Sequence, residues 1–223
     1  MEKAVLFKII QRKFKFRNPQ HLVLLPKEFI YTEAEYSSAK AYIENLSNYN
    51  IRYTHPEKED YPQLFTKMKE PPLFFEYYGE PLWKNNEFIS VVGSREIHSM
   101  TERWMKQHLA DFINCNRIGI VSGGARGVDQ LAHLIAMKSQ LPTIFVLPSG
   151  LLHLYPKTLE AIKSNPMNKN ICFLSEFEID QKLHRSHFYF RNRLIAALGG
   201  LTLVAQASLK SGSLLTVHHC LEM

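Results

Sequence analysis

Cysteine is scarce in this sequence, and its placement gives no sign of a bridge or a metal site. The three cysteines, Cys115, Cys172 and Cys220, are odd in number, far apart and in no CxxC pair. A disulfide framework and a zinc site are therefore not expected. This use of cysteine is typical of a reducing compartment, so we expect a cytoplasmic protein.

Long hydrophobic runs are also missing. No stretch approaches 18 apolar residues, the length that a membrane-spanning helix requires. The opening segment MEKAVLFKIIQRKFKF is interrupted by Lys8, Arg12 and Lys13 and offers no small-residue cleavage site. We therefore expect neither secretion nor insertion into a membrane.

Four common catalytic and nucleotide-binding motifs are absent as well. The ten histidines include no HExxH, no serine lies in GxSxG, and neither GxGxxG nor GxxxxGK[ST] occurs. No catalytic residue, cofactor or metal ion is expected. Asp129 and His133 stand four residues apart, and we interpret them as structural, with the aspartate capping its own turn or the histidine bonded to it.

What the sequence has is enough apolar residues for a sizeable core and an excess of positive charge. Of its 223 residues, 45% are hydrophobic and 12% aromatic, which suffices for one large core with a smaller appendage. Lysine and arginine number 27 against 21 aspartates and glutamates, so the net charge is +6. This balance favours polyanionic partners without selecting one.

From Glu87 onward, apolar runs alternate with amphipathic segments. The predicted strands are Phe88–Val92, Ile118–Val121, Thr143–Leu147, Ile171–Leu174 and Leu201–Ala205. The repeated alternation predicts an α/β fold, with a mainly parallel sheet, helices on both faces and function at the carboxyl ends of the strands.

Helix signals separate these strands. Ser99 and Glu102 have capping-box spacing at the start of the first helix, and the second is predicted over Val128–Lys138. A short helix follows Pro156, and another contains Leu194, Ile195 and Leu198. Gly199 and Gly200 are expected to end that helix in a left-handed cap, and a last helix begins near Ser213.

The first 84 residues lack this alternation. We predict a small, mainly helical N-terminal region over residues 1–54, with a helix around Ser37–Leu46. Residues 55–84 contain five prolines among aromatic residues, which indicates an extended linker packed on the main domain. Residues 85–223 are predicted to form one Rossmann-like domain.

Two loops on the predicted functional rim can hold phosphate. The first contains Ser122, Gly123, Gly124, Arg126 and Gly127, whose glycines let backbone amides approach an anion at a helix start. A tight strand-to-helix turn explains the same glycines equally well. The second loop, Gly93-Ser94-Arg95, offers a guanidinium to a phosphate oxygen, with a surface salt bridge as the alternative.

Two further segments place basic residues on the same rim. The cluster just before the fourth helix combines cations with an aromatic ring, as single-stranded DNA requires, although Phe188 also suits the core. It consists of Lys182, His184, Arg185, His187, Phe188, Arg191, Asn192 and Arg193. The last loop, Lys210-Ser211-Gly212-Ser213, can hold another phosphate, and taken alone it is better explained as an ordinary N-cap.

Several of these segments together resemble one known family, the DNA-processing protein A (DprA/Smf) family. The motifs are VVGSR (Val91–Arg95), IVSGGARGVDQLAH (Ile120–His133), Gly150 with Tyr155-Pro156, Ser175-Glu176, FRNRLIAAL (Phe190–Leu198), SGSLLT (Ser211–Thr216) and the linker YPQLFTKMKEPPLFFEYYG (Tyr61–Gly79). The resemblance covers about residues 55–223. It departs at Gly124, where the family commonly has leucine, and at Gln206, where an acidic residue is frequent.

The resemblance implies a non-enzymatic protein that binds incoming single-stranded DNA, protects it and helps to load a RecA-type recombinase during natural transformation. The family's basic and aromatic positions match Arg95, Arg185 and Phe188 here. The sequence stops at Met223 within the predicted last helix, where the family continues, so the resemblance implies a truncated C-terminal end and a homodimer.

Two other functions stay open at this point. A Rossmann-like enzyme or sensor can bind a small nucleotide at the same rim, with Asp129 and Glu176 as the carboxylates that a glycosidase would need. A protein scaffold would use the basic residues only as a solvated surface.

Overall fold

The computed structural model of the chain describes residues 1–14, 30–165, 169–208, 212 and 216–217. Within these ranges the strands form a seven-stranded sheet in the order β1-β2-β6-β5-β4-β3-β7. Strands β3 to β7 are mutually parallel where they pair, and β1 and β2 extend the sheet antiparallel beyond β6. The strands are β1 (Ile51–Thr54), β2 (Phe75–Tyr78), β3 (Phe88–Gly93), β4 (Gly119–Ser122), β5 (Thr143–Val146), β6 (Ile171–Ser175) and β7 (Leu201–Gln206).

Helices cover both faces of this sheet. Their bounds are α1 (Glu2–Phe14), α2 (Glu33–Leu46), α3 (Ser99–Trp104), α4 (Ala110–Asn116), α5 (Val128–Lys138), α6 (Leu159–Ser164) and α7 (Arg185–Leu198). A π-helical turn, Met105–Leu109, joins α3 to α4 in one helical run. None of the helices in the described part of the chain has the length and apolar character needed to cross a membrane.

The core has two sides because neighbouring strand residues point to opposite faces. On β3, Val91 packs with α4 and α5, whereas Val92 packs with α7. On β5, Phe145 belongs to the side that carries α1, α2 and α6, and Val146 to the side of α7. The uninterrupted apolar strands are thus explained by burial on both faces.

The strand order creates a topological switch point, and with it a crevice, between β3 and β7 at the carboxyl edge of the sheet. The chain winds outward from β3 through β4 and β5 to β6, and then returns to place β7 on the other side of β3. The helices that follow β3 and β4 pack on one face of the sheet, whereas α7, which leads into β7, packs on the other face. In parallel α/β sheets this switch point is where ligands bind.

The predicted fold class is confirmed, and α5 has its predicted bounds. Two details of the helix ends were wrong. The first helix has His98 at its N-cap with no side-chain cap bond, so Ser99 already lies inside the helix and forms no capping box. Gly199 is extended, with φ −96°, and Gly200 does not have positive φ either. Gly199 packs directly against Ser90 of β3, so the chain passes straight from α7 into β7.

The sequence analysis also missed β1 and β2. Strand β2 lies within the proline-rich stretch, but Pro72 and Pro81 flank it, so its backbone groups remain free to pair with β6. Its sequence, FEYY, shows no regular alternation of apolar and polar residues. The helix predicted near Ser213 begins outside the described residues.

A buried lysine links α1 to strand β2 through an ion pair. The Lys8 side chain is fully buried, with Nζ 3.3 Å from Glu76 Oε1 on β2 and 3.5 Å from Glu178 Oε1. Nζ also lies 4.3 Å from the centre of the Tyr42 ring, and the Tyr42 hydroxyl donates a hydrogen bond to Glu76. Burial raises the pKa of Glu76 to about 7, and Lys8 opposes that rise.

Lys8→Met should therefore destabilise the chain strongly, because it leaves the Glu76 carboxylate buried without its cation. We expect a loss of about 3–5 kcal/mol in the free energy of unfolding at pH 8. The loss should shrink as the pH falls, because a carboxyl with a raised pKa takes up a proton and no longer needs the lysine. Urea denaturation at pH 8 and pH 6 measures both values.

Lys3→Met on the same helix is the matched control. Lys3 forms an exposed ion pair with Glu57, and its loss should cost less than about 1 kcal/mol. Equal costs for the two variants would contradict the role given to Lys8.

Candidate functional site

A cavity of about 280 Å³ occupies this crevice at the carboxyl end of β3 and extends to the loop after β4. Residues from all four rim segments identified in the sequence line it, together with the start of α5. The lining residues are Val92, Gly93, Ser94, Arg95, Ala125, Asp129, Phe188, Arg191, Asn192, Ile195, Gly212 and Thr216. The charged residues among them are two arginines and one aspartate.

Arg191 forms the floor of this cavity. It is 4% exposed, and its Nη1 donates a 2.8 Å hydrogen bond to the carbonyl oxygen of Val146 at the end of β5. The guanidinium lies so close to Gly123 that a β-carbon there would overlap Nη1. Burial lowers the pKa of Arg191 to about 10, and the neighbouring Asp129 opposes that shift. The side chain therefore stays charged at neutral pH.

Asp129 supplies the opposite charge beside Arg191. Its carboxylate accepts a 3.4 Å hydrogen bond from the Ala125 backbone N–H, so the aspartate caps its own turn, one of the two structural roles expected for it. Burial raises its pKa to about 6, and Arg191 opposes the rise. His133 instead pairs with Thr143, Nδ1 to Oγ1 at 2.7 Å, and burial lowers its pKa to about 3.

The loops after β3 and β4 are joined through their backbones. Gly127 has φ +81°, and a β-carbon at this position would collide with the carbonyl oxygens of Ser94 and Arg95. The Val128 N–H donates a 3.1 Å hydrogen bond to the Ser94 carbonyl. Glycine is thus needed here both for its backbone conformation and for the close approach of the two loops.

Helix α7 brings an aromatic ring to the cavity. Phe188 is half-buried, and the guanidinium carbon of exposed Arg95 lies 5.2 Å from its ring centre. Arg191 lies 5.9 Å from the same ring. Asn192 lies one turn further along the helix, and its Nδ2 donates to the Gly212 carbonyl at 3.4 Å. The ring thus lies at the cavity, between two arginines.

Other predicted site residues lie outside this cavity lining. The Ser122 hydroxyl is buried and donates to the Val91 carbonyl at 2.6 Å. Gly124, with φ +71°, sits over Phe145 and Leu159. Both residues therefore contribute to the internal packing of the glycine loop.

The remaining arginines divide into two groups. Arg126 and Arg185 are exposed, and Arg185 begins α7 one turn before Phe188. Arg193 is buried, and its Nη2 contacts both carboxylate oxygens of Glu176, at 2.7 and 2.5 Å. Arg193 is therefore committed to an internal ion pair. Lys210, Ser211 and Ser213 lie outside the described residues, whereas Gly212 lines the cavity.

Tyr155 is a neighbour of the site that the residue patterns alone did not identify. Its exposed ring meets the Phe188 ring edge-on, with centres 6.2 Å apart. The only signal for it in the sequence was the Tyr155-Pro156 motif of the family resemblance. Across the described ranges, no group of three or more histidine, cysteine, aspartate or glutamate side chains is arranged to hold a metal ion.

The fold and the cavity together define a Rossmann-like α/β protein with an arginine-lined crevice at its topological switch point. The chain belongs to the family DNA recombination-mediator protein A, which it matches over residues 52–223. This confirms the family that the motifs indicated.

The chain is similar to proteins from several bacteria. It is 31% identical to DNA processing protein DprA of Streptococcus pneumoniae, over 73% of this chain and 56% of that protein. It is 32% identical to DprA of Bacillus subtilis, over 74% of this chain and 55% of that protein. The chain thus spans about half the length of these curated relatives.

Two solved structures share the fold. DprA from S. pneumoniae aligns with a TM-score of 0.74 at 24% identity, over 99% of this chain and 78% of that chain. DNA processing protein A from Helicobacter pylori aligns with a TM-score of 0.64 at 30% identity, over 75% of each chain, and is described by its single-stranded DNA binding mode.

Gly123→Ala should destabilise the chain, because the added methyl group displaces the Arg191 guanidinium from its bond with Val146. We expect a loss of about 1–3 kcal/mol, typical of forced overpacking. Gly200→Ala is the matched control, since a β-carbon at Gly200 meets no atom within 4 Å. Urea denaturation compares the two, and a Gly123→Ala variant as stable as Gly200→Ala would contradict the packing described.

Proposed function

We propose that the crevice binds single-stranded DNA. The observation that carries this proposal is the Arg95–Phe188 pair, in which a guanidinium and a half-buried ring border one cavity beside a glycine loop. Single-stranded DNA needs cations along its phosphates and a ring on which a base stacks. Family membership and the single-stranded DNA binding described for the H. pylori protein support the proposal.

The exposed arginines act on the DNA backbone. Arg95, Arg126 and Arg185 displace counterions from phosphates, and we propose the same role for Lys210. Arg191 contributes its charge from the floor of the cavity. Phe188 stacks on a base, worth about 1–3 kcal/mol. Since phosphates and ring faces are common to all nucleotides, little sequence preference is expected.

The location of Phe188 favours a single strand over a duplex. Its ring is half-buried within the cavity, so a base must leave its stack to reach it. Bases of a duplex are already paired and stacked, and extruding one costs a few kcal/mol.

The proposed activity requires no turnover. Of the two carboxylates that a glycosidase would use, Glu176 is occupied by Arg193 and does not line the cavity, whereas Asp129 is engaged by the glycine loop. We propose a non-enzymatic protein that protects incoming DNA and helps to load a RecA-type recombinase during natural transformation. Homodimerisation belongs to the same proposal.

Arg95→Ala and Phe188→Ala should each weaken binding to a fluorescent oligo-dT by about tenfold or more, measured by anisotropy. If about four phosphates are neutralised, log affinity should fall against log salt with a slope of roughly −3, and Arg95→Ala should reduce that slope by about 0.7. Phe188→Ala should leave the slope unchanged.

Lys84→Ala and Phe112→Ala are the matched controls. Both residues are exposed and border a groove at the amino ends of β3 and β7, on the opposite edge of the sheet. Neither should change the affinity by more than about twofold. A preference for duplex DNA of equal length would argue against a single-stranded DNA site. Competition by thymidine monophosphate at micromolar concentration would also argue against the proposal, and it would favour a nucleotide-binding protein.

Binding should also strengthen as the pH falls through the pKa of Asp129. This carboxylate lies at the cavity floor, and its protonation near pH 6 removes a negative charge that repels phosphate. We expect wild type to gain about threefold more affinity between pH 7.5 and 5.5 than Asp129→Asn, from one charge at roughly 6 Å in water. The comparison cancels the contribution of the surface histidines, and equal gains would contradict this role.

A further inference from the structure

Gln206, the last residue of β7, forms three hydrogen bonds with the loop that carries Arg95. Its carbonyl oxygen accepts a 2.8 Å hydrogen bond from the Ser94 N–H. Its side-chain Oε1 accepts from the His98 N–H at 2.9 Å, and its Nε2 donates to the Glu96 carbonyl at 2.8 Å. Three hydrogen bonds from one residue thus bracket Arg95 on both sides.

These bonds hold a loop that is otherwise largely exposed. Residues 94–98 connect β3 to α3 and, apart from Ile97 and Ser94, are exposed. The loop is also held at Ser94, whose carbonyl accepts from Val128 and whose hydroxyl accepts from the Glu96 N–H, and at Ile97, which packs against the core. The ladder between β3 and β7 also shifts register between Val92 and Gly93, which brings Gln206 opposite Gly93.

We propose that Gln206 is a positioning residue for Arg95 and sets the affinity for single-stranded DNA through that arginine. The inference rests on the proposed function. Because the loop is held before DNA arrives, Arg95 meets a phosphate without first ordering its backbone, and a preorganised contact binds more tightly.

The amide group of glutamine suits this position because it uses both of its ends. The His98 N–H requires an acceptor and the Glu96 carbonyl requires a donor. This pairing fixes the orientation of the amide. Methionine has nearly the same length and shape but can form neither bond. Gln206→Met therefore removes both side-chain hydrogen bonds and keeps the backbone bond to Ser94 and the packing of the side-chain stem.

The test is a double-mutant cycle on oligo-dT affinity. Gln206→Met should weaken binding by about fivefold in the unmodified chain and by less than about twofold when Arg95→Ala is already present. Gln63→Met is the matched control, because Gln63 is exposed at the opposite edge of the sheet and should tolerate the same change. An equal loss with and without Arg95 would overturn the proposal, and so would no loss at all.

A second measurement does not require DNA. Amide hydrogen exchange of His98 should be about tenfold faster in Gln206→Met, whereas the amide of Ile144 in the core strand β5 should exchange as before. If the unmodified chain binds no oligonucleotide, the proposed function fails, and the exchange experiment alone tests whether the Gln206 side chain holds the loop. Faster exchange at His98 then supports it, and unchanged exchange overturns it.

Discussion

The packing of Arg191 against Gly123 is the contact on which the crevice depends. A guanidinium in this position needs a glycine above it, a carbonyl acceptor at the end of β5 and a nearby anion, which are supplied by Gly123, Val146 and Asp129. Together these requirements fix α7 relative to the loop after β4. Phe188 and Asn192 on the same helix are thereby fixed at the mouth of the cavity. Since an unpaired buried charge costs several kcal/mol, the arrangement resists change.

Positive charge at this rim serves two separate purposes. Arg191 and Arg193 lie on the same helix and both are buried, yet Arg193 is neutralised by Glu176 whereas Arg191 still lines the cavity. Arg95, Arg126 and Arg185 are exposed and remain available to an anion. The proposed affinity therefore comes from a few positioned cations at one edge rather than from the net charge of +6.

The sequence was most informative where the local pattern and burial agree. Four of the five parallel strands, β3 to β6, are buried on both faces, so their apolar runs stand out, and α5 shows a clear helical period. The glycine loop and Arg95 were identified because parallel strands bring successive loops to one edge. The family motifs then selected among the ligands that such an edge can hold.

What the sequence concealed depends on contacts between distant segments. Nothing near Arg193 in the chain indicates that Glu176 neutralises it, and Lys8 looks like an ordinary surface lysine until Glu76 is brought beside it. Strand β2 is recognisable only through its pairing with β6. Gln206 acts through a loop more than a hundred residues earlier. These interactions depend on tertiary packing, which overrides local propensity.

Photocrosslinking would test the central claim most directly. An oligonucleotide that contains 5-iododeoxyuridine is bound to the chain and irradiated, and the crosslinked residue is identified by mass spectrometry. Stacking of a base in the crevice predicts crosslinks at Phe188 or at the adjacent Tyr155. Crosslinks confined to Trp83, Tyr61 or Phe112, which border the groove at the opposite edge of the sheet, would contradict the account.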